Sequence, residues 1–285
     1  MFDFKIDFVE SVTAASPART KNEDACVFLP GACMVLDGAT GLADPIMSAE
    51  SDGHWLVNEL AFRALQPSGN PTFEDRLRHA VASVASSYSD TVRHVAARPF
   101  DMPSAGMVAV EWNDRGVRLF QIGDCTVLLR RDGDIFEMFE PSSLGRLDAI
   151  SIAELQSLMS GDRDAKSARE QLLPTLRRHR SQMNVAGGYG VLSTTVDCLD
   201  WLQIRSLDVQ QGDEILLATD GFMAATDSYA LFDRDAVFDH LAGRRGGEII
   251  RKMRDAERSD QNLDRYPRLK QYDDATALLI RVVHR

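Results

Sequence analysis

The segment Ile215-Leu216-Leu217-Ala218 runs apolar and then stops at Thr219-Asp220-Gly221. The same construction stands upstream as Met34-Val35-Leu36-Asp37-Gly38, and more loosely as Leu119-Phe120-Gln121-Ile122-Gly123-Asp124. Near the C-terminus the order is inverted, with Asp273-Asp274 opening the apolar run from Ala275 to Val283. Short apolar runs bounded by turn residues read as buried strands. Here each carries a carboxylate at one end. Several hard oxygen donors held on rigid strand ends are what a pair of hexacoordinate divalent cations requires.

The rest of the chain divides by period. Phe2 to Phe8 alternates as a strand with one polar face. Residues 25–29 and 33–36 are short strands joined at Pro30-Gly31. Helical spacing follows from Ser48 to about Leu65 through Trp55, Leu56, Leu60, Ala61 and Ala64, until Pro67 to Pro71 breaks it. A second helix is expected from Phe73 to Ala96, with Leu77, Val81, Val84, Tyr88, Val92 and Val95 on one stripe. Strands at 107–112, 117–122, 126–130 and 135–139 read as a β-meander. Residues 151–182 are helical and locally basic, with Arg163, Lys166, Arg169, Arg177, Arg178 and Arg180. Strands resume near Val191, at Trp201 to Ile204 and at Glu214 to Ala218. Helices follow at about 230–241 and 247–257, then a last strand from Thr276 to Val283. Grouped rather than alternating elements point to α+β layering, with two stacked sheets and helices outside.

Composition excludes several classes. With 285 residues, 44% hydrophobic and 26% charged, the chain has ample core for one large or two small domains. No apolar run approaches the roughly 18–20 residues of a membrane helix. The start Met1-Phe2-Asp3-Phe4-Lys5 lacks the basic and apolar regions of a signal peptide. A cytoplasmic protein with no membrane partner is the expectation. Net charge of −11 argues against nucleic-acid binding. Cys26, Cys33, Cys125 and Cys198 form no C-x-x-C pair, so structural zinc and a disulfide framework are not expected. Cys125 next to Asp124 points to the opposite strand face and reads as a buried thiol.

Taken in order, the acidic signals are Arg19-x-x-Asn22-Glu23-Asp24, Asp37-Gly38-Ala39-Thr40-Gly41, Gly123-Asp124-Cys125-Thr126, Thr219-Asp220-Gly221 and Asp273-Asp274-Ala275-Thr276. This set resembles the metal-dependent protein phosphatases, the type 2C serine/threonine phosphatases, in their bacterial single-domain form. The resemblance spans about residues 8–283. It implies a single domain over 1–285, a four-layer α-β-β-α sandwich of two antiparallel sheets flanked by helices. A helical flap-like insertion falls at about 145–190. It implies hydrolysis of phosphoserine and phosphothreonine on proteins by a hydroxide bridging two Mn²⁺ or Mg²⁺ ions. The implied metal residues are Asp37, the Gly38 carbonyl, Asp220 and Asp273, with Asp124 on a weaker third metal. Glu23, Asp24 and Asp274 would hold metal-bound waters. Arg19 would grip the substrate phosphate through its guanidinium fork. Asp37 and Arg19 are thus the implied catalytic pair. The implied partner is a phosphoprotein made by a Ser/Thr kinase in signalling, and the implied state is a monomer.

The chain departs from the family pattern at two positions. Ala39 replaces the histidine that many eukaryotic relatives carry after Asp-Gly, and Thr40 replaces a small residue of that loop. A general acid contributes about 10²–10⁴-fold, so turnover on poor leaving groups should be modest. Plainer roles stand beside the sharper ones. Singly, Asp37, Asp124 and Asp220 could start turns, and Arg19 could be a surface arginine. His54 reads as structural, near a helix start with Asp52 as N-cap. The basic stretch 163–180 is a solvated helix face or a dock for acidic substrates. Gly187-Gly188-Tyr189-Gly190 reads as a hinge or turn, and Tyr266-Pro267-Arg268 as a loop near the site. A small-molecule phosphomonoesterase and a catalytically weak binding protein are the alternative functions.

Overall fold

Apolar runs without alternation become central strands here because both of their faces are covered. In a computed structural model, residues 4–66, 71–93, 98–159 and 165–284 are described. One sheet holds β1 (Phe4–Ala14), β6 (Thr126–Arg131), β7 (Asp134–Glu137), β9 (Glu214–Ala218) and β10 (Ala275–His284), in the order β1-β10-β9-β6-β7. The other holds β2 (Asp24–Leu29), β3 (Ala32–Ala39), β4 (Ser104–Asn113), β5 (Gly116–Ile122) and β8 (Gln203–Leu207), in the order β2-β3-β4-β5-β8. Every pairing is antiparallel.

Side-chain alternation assigns each strand two jobs. On β9, Ile215 and Leu217 enter the layer between the sheets, while Leu216 and Ala218 face the helices α5 (Asp220–Asp227), α6 (Arg234–Ala242) and α7 (Gly246–Ser259). On β3, Cys33 and Val35 face inward. Ala32, Met34 and Leu36 pack on α1 (Asp52–Leu65) and α2 (Phe73–Val92). The result is the expected α-β-β-α sandwich. Between β7 and β8 the chain inserts α3 (Ser143–Met159) and α4 (Ala165–Arg180). Leu155, Ala168 and Leu172 of this pair make a small cluster with Leu263 and Leu269 of the segment before β10.

Several local expectations are corrected. The four strands between 104 and 137 are not a meander. β4 and β5 lie in one sheet, β6 and β7 in the other, and β6 pairs with β9. The switch occurs at Gly123, whose φ of +90° only glycine adopts readily. Helix α5 begins directly at Asp220, where only a strand end was expected. Helix α1 starts at Asp52 rather than Ser48, and its N-cap is Ser51, whose side chain accepts from the His54 amide. Asp52 instead accepts from the Ile46, Met47 and Ser48 amides at 2.7, 2.7 and 3.1 Å. The expected 151–182 helix is two helices. Trp201 ends a 3₁₀ turn, Val196–Trp201, before β8. Val191 is followed by a single bridge, Leu192 to Ala105. The expected positions Phe2, Val95, Ala96, Arg163 and the Pro67–Asn70 break lie outside the described residues. All four cysteines are free, and Cys125 is buried between the sheets. No helix among the described residues is long and apolar enough to cross a membrane.

Candidate active site

The inward row of β3 that begins at Cys33 and Val35 ends on Asp37. Strand alternation therefore carries the carboxylate into the space between the sheets, where the core runs out. Its cross-strand neighbours are Asp24 on β2 and Gly106 on β4. A Cβ on Gly106 would stand 2.9 Å from a carboxylate oxygen of Asp124 and 3.1 Å from Cys125 Sγ. Glycine there leaves the room Asp124 occupies. A Cβ on Gly123 would in turn meet Gly106 Cα at 2.7 Å. The sheet switch and the placement of Asp124 thus depend on two glycines in contact.

The other sheet supplies two more acids. Asp220 follows β9 in the first turn of α5, and its carboxyl lies within hydrogen-bonding reach of Asp37. Asp273 precedes β10, and its carbonyl accepts from Arg254 Nη2 at 2.7 Å. Arg254 is itself held by Glu257 at 2.8 Å. Gly221 fits because a Cβ would fall 2.0 Å from the Asp274 carbonyl oxygen, so α5 can start hard against the entry to β10.

Asp37, Asp124, Asp220 and Asp273 line one cavity of about 400 Å³. Gly38, Asp148 of α3, Arg180 of α4, Tyr189 and Lys270 line it too. Burial, then the charge of Asp24 followed by Asp220, Asp124 and Asp273, holds the Asp37 carboxyl well above the ordinary range. Burial and Asp273 raise Asp220, burial and Asp220 raise Asp124, and burial and Asp274 raise Asp24. Burial and Asp220 push Asp148 up to about 6. Acids that cannot all ionise together lack counter-charge. One cation answers part of it: Lys270 Nζ donates to Asp273 Oδ1 and Oδ2 at 2.7 and 2.8 Å. Loss of solvent around it in the cavity opposes its charge, yet Asp273, Asp220 and Asp37 hold the partly exposed ammonium above the ordinary lysine range.

The donor set is oxygen-only and short of positive charge, and Asp24 Oδ1 is buried with no hydrogen-bond partner among the described residues. In kind these residues fit Mg²⁺ or Mn²⁺. Among the described residues, no three carboxylate, imidazole or thiolate groups stand ready to clasp an ion. Lys270 stands on Asp273 instead.

The remaining expected residues lie beside the cavity. Gly38 donates its amide to the Glu23 carbonyl at 3.0 Å, and a Cβ there would meet that oxygen at 2.6 Å and Val57 at 2.8 Å. Glu23 Oε1 accepts from Thr40 Oγ1 and Ser51 Oγ, both at 2.5 Å, and Arg19 pairs with its other oxygen. Arg19 and Glu23 line a neighbouring cavity of about 330 Å³ with Thr40 and Ser51. Asp274 accepts from the Ser16 and Glu23 amides at 2.6 and 3.0 Å, tying the Arg19 loop to β10. His54 Nδ1 sits 2.6 Å from the Asn22 carbonyl oxygen, a structural contact of that same loop.

Among the cavity residues that sequence reasoning missed are Asp148, Arg180, Tyr189 and Lys270. Arg180 belonged to the basic stretch, but nothing separated it from its neighbours. Its Nη2 donates to the Ala39 and Met102 carbonyls at 3.1 and 2.9 Å, fastening α4 to the loop after Asp37. Tyr189 stood in the glycine-rich turn, and Gly187 there does adopt φ +79°. Asp148 carried no signal, and Lys270 only its spacing of three from Asp273.

No curated protein sequence matches the chain. Among solved structures, it is similar to the PPM Ser-Thr phosphatase MsPP from Mycobacterium smegmatis, in complex with cacodylate. Identity is 17%, coverage 97% of each chain and the TM-score 0.56. It is similar to PppA of Pseudomonas aeruginosa at 17% identity, covering 98% of this chain and 97% of that one, with a TM-score of 0.56. It is also similar to the catalytic domain of the serine threonine protein phosphatase PstP in complex with two manganese ions. Identity there is 16%, coverage 98% and 99%, and the TM-score 0.52. These likenesses show the fold. The model of the family described as protein phosphatase 2C matches residues 18–252, which hold Asp37, Asp124 and Asp220, with Asp273 beyond the matched span. The chain belongs to the protein phosphatase 2C family.

Proposed function

We propose that this protein is a metal-dependent phosphatase that hydrolyses phosphoserine and phosphothreonine monoesters on proteins. One observation carries the reading. Asp37, Asp124, Asp220 and Asp273 come from four separate segments and face one cavity with too little positive charge among them. Family membership and the manganese-bound structural relative support it further.

In this reading Asp37, the Gly38 carbonyl, Asp220 and Asp273 hold two Mn²⁺ or Mg²⁺ ions, and Asp124 with Asp220 holds a weaker third. When bound, the ions would neutralise phosphate charge and acidify water. Asp24, opposite Asp37, and Glu23 border them, and Asp274 sets the backbone between. Arg19 is 38% exposed beside Glu23 and is the guanidinium assigned to the substrate phosphate. Ala39 offers no proton to the leaving group, so release of poor leaving groups is slow. The α3–α4 insertion, which places Asp148 and Arg180 on the cavity, is the flap-like element. The substrate is a phosphoprotein produced by a Ser/Thr kinase, met by a monomer in the cytoplasm.

The test is phosphate release from p-nitrophenyl phosphate and a phosphothreonine peptide after chelation, with Mn²⁺ or Mg²⁺ restored, beside Asp220→Asn. Metal-dependent release from both that Asp220→Asn abolishes is the expected result. Release from the small ester alone favours a small-molecule phosphomonoesterase. No release from either overturns the enzymatic reading in favour of a binding protein on the same fold.

A further inference from the structure

Lys270 is the cation that meets both oxygens of Asp273. It sits in a segment fastened on either side. Arg268 Nη1 donates to Asp260 Oδ2 and to the Tyr266 carbonyl, each at 2.6 Å, and Arg268 Nε donates to the Gln271 carbonyl at 3.1 Å. The Leu269 carbonyl accepts from Arg169 of α4 at 2.9 Å, and the Leu269 side chain packs on the α3–α4 cluster. The backbone at 270 is therefore anchored both to itself and to the insertion. The side chain is 42% exposed, and among the described residues its ammonium hydrogen-bonds to Asp273, itself 34% exposed. Its four-carbon stem can swing without moving that backbone.

We propose that Lys270 is a built-in counter-ion that competes with a divalent cation for Asp273. The inference rests on the metal-dependent reading above. An ion ligated by Asp273 needs a carboxylate oxygen that Lys270 now holds. The ammonium and the ion also repel across the Asp273–Asp220 end of the cavity. Metal entry there requires Lys270 to leave. Because Leu269 is tied to α4, this is also one point at which the insertion reaches the metal side of the site.

The experiment is calorimetric titration of the chelator-treated 285-residue chain with Mn²⁺ alone, comparing wild type, Lys270→Met and Lys270→Arg. Lys270→Met should bind Mn²⁺ about tenfold more tightly, since a partly exposed charge is only partly screened. Lys270→Arg should bind no more tightly than wild type, and Asp273→Asn added to Lys270→Met should erase the gain. Equal or weaker binding by Lys270→Met overturns the inference while leaving metal dependence standing. Binding by neither protein overturns the inference and the metal reading together. A second measurement needs no variant: the rate at which acetic anhydride modifies Lys270, read by mass spectrometry. Mn²⁺ should raise that rate in wild type, and an unchanged rate overturns the proposal even if the substituted chains fail to fold.

Discussion

The two ends of β9 carry acids in opposite circumstances. At its start, Glu214 accepts from Arg130 Nε and Nη2 at 2.8 and 2.6 Å and from Arg281 Nε at 3.0 Å. Asp213 accepts from Arg131 Nε and Nη2 at 2.8 and 2.6 Å. Neighbouring strands β6 and β10 bring these arginines in register, Arg130 and Arg281 both opposite Glu214. At its finish, Asp220 meets Asp37 and Asp273, and the near cation is Lys270. Acids crowded together without counter-charge repel and destabilise the fold. One end satisfies its acids and serves the fold; the other leaves them short of charge, and it is the end to which the proposed function assigns the metal. The apolar run between them is the same.

Substitutions at the two ends should therefore separate activity from stability. The largest effect is expected from Asp37→Asn. If Asp37 ligates metal as proposed, its loss should lower phosphate release at least as much as losing an outer partner, about 10²-fold or more. The metal-free melting temperature should hold or rise, because repulsion is relieved. A fall in melting temperature with activity intact would mean the two ends are alike after all.

Glu214→Ala comes next, with the opposite signature. Arg130 and Arg281 lose their shared partner, at a cost of about 2 kcal/mol given their partial exposure. That corresponds to a melting point lower by a few degrees, roughly 4–8 °C. kcat/KM for the p-nitrophenyl ester should stay at the wild-type value below the melting range.

The smallest expected effect is a pH dependence at Asp148, which sharpens the contrast. Its carboxyl stands near 6, above its ordinary 3.8. Between those values the folded chain binds more protons than the unfolded chain, so this group lowers stability as pH rises through the window. Asp148→Asn should match wild type near pH 4 and exceed it by about 1 kcal/mol above pH 6, in urea unfolding with chelator present. Added Mn²⁺ should shrink the gain.

Much of this was legible because strands announce themselves locally. β3, β9 and β10 are written as apolar runs with acids at their ends, and their order identifies the family pattern. Other features were not legible, for identifiable reasons. The turn at Gly123 looks like any hairpin turn, and only the pairing of β6 with β9 reveals a change of sheet. Ser51 and Asp52 are both good caps, and the chain's path at 46–48 decided between them. Helix α5 was hidden because Asp220-Gly221 reads equally as a turn.

The sequence by itself determined the layers, the order of the acids and the residue types that suit a divalent ion. Those properties follow from period, spacing and side-chain chemistry, which are local. Only the tertiary structure decided which acids stay short of charge. It brought arginines to Asp213 and Glu214 and backbone amides to Asp274, and it left Asp37, Asp124 and Asp220 facing one another. Counter-charge depends on distances between segments far apart in the chain, and Coulomb energy is set by those distances and by burial. Neither is written in the spacing of residues along a strand.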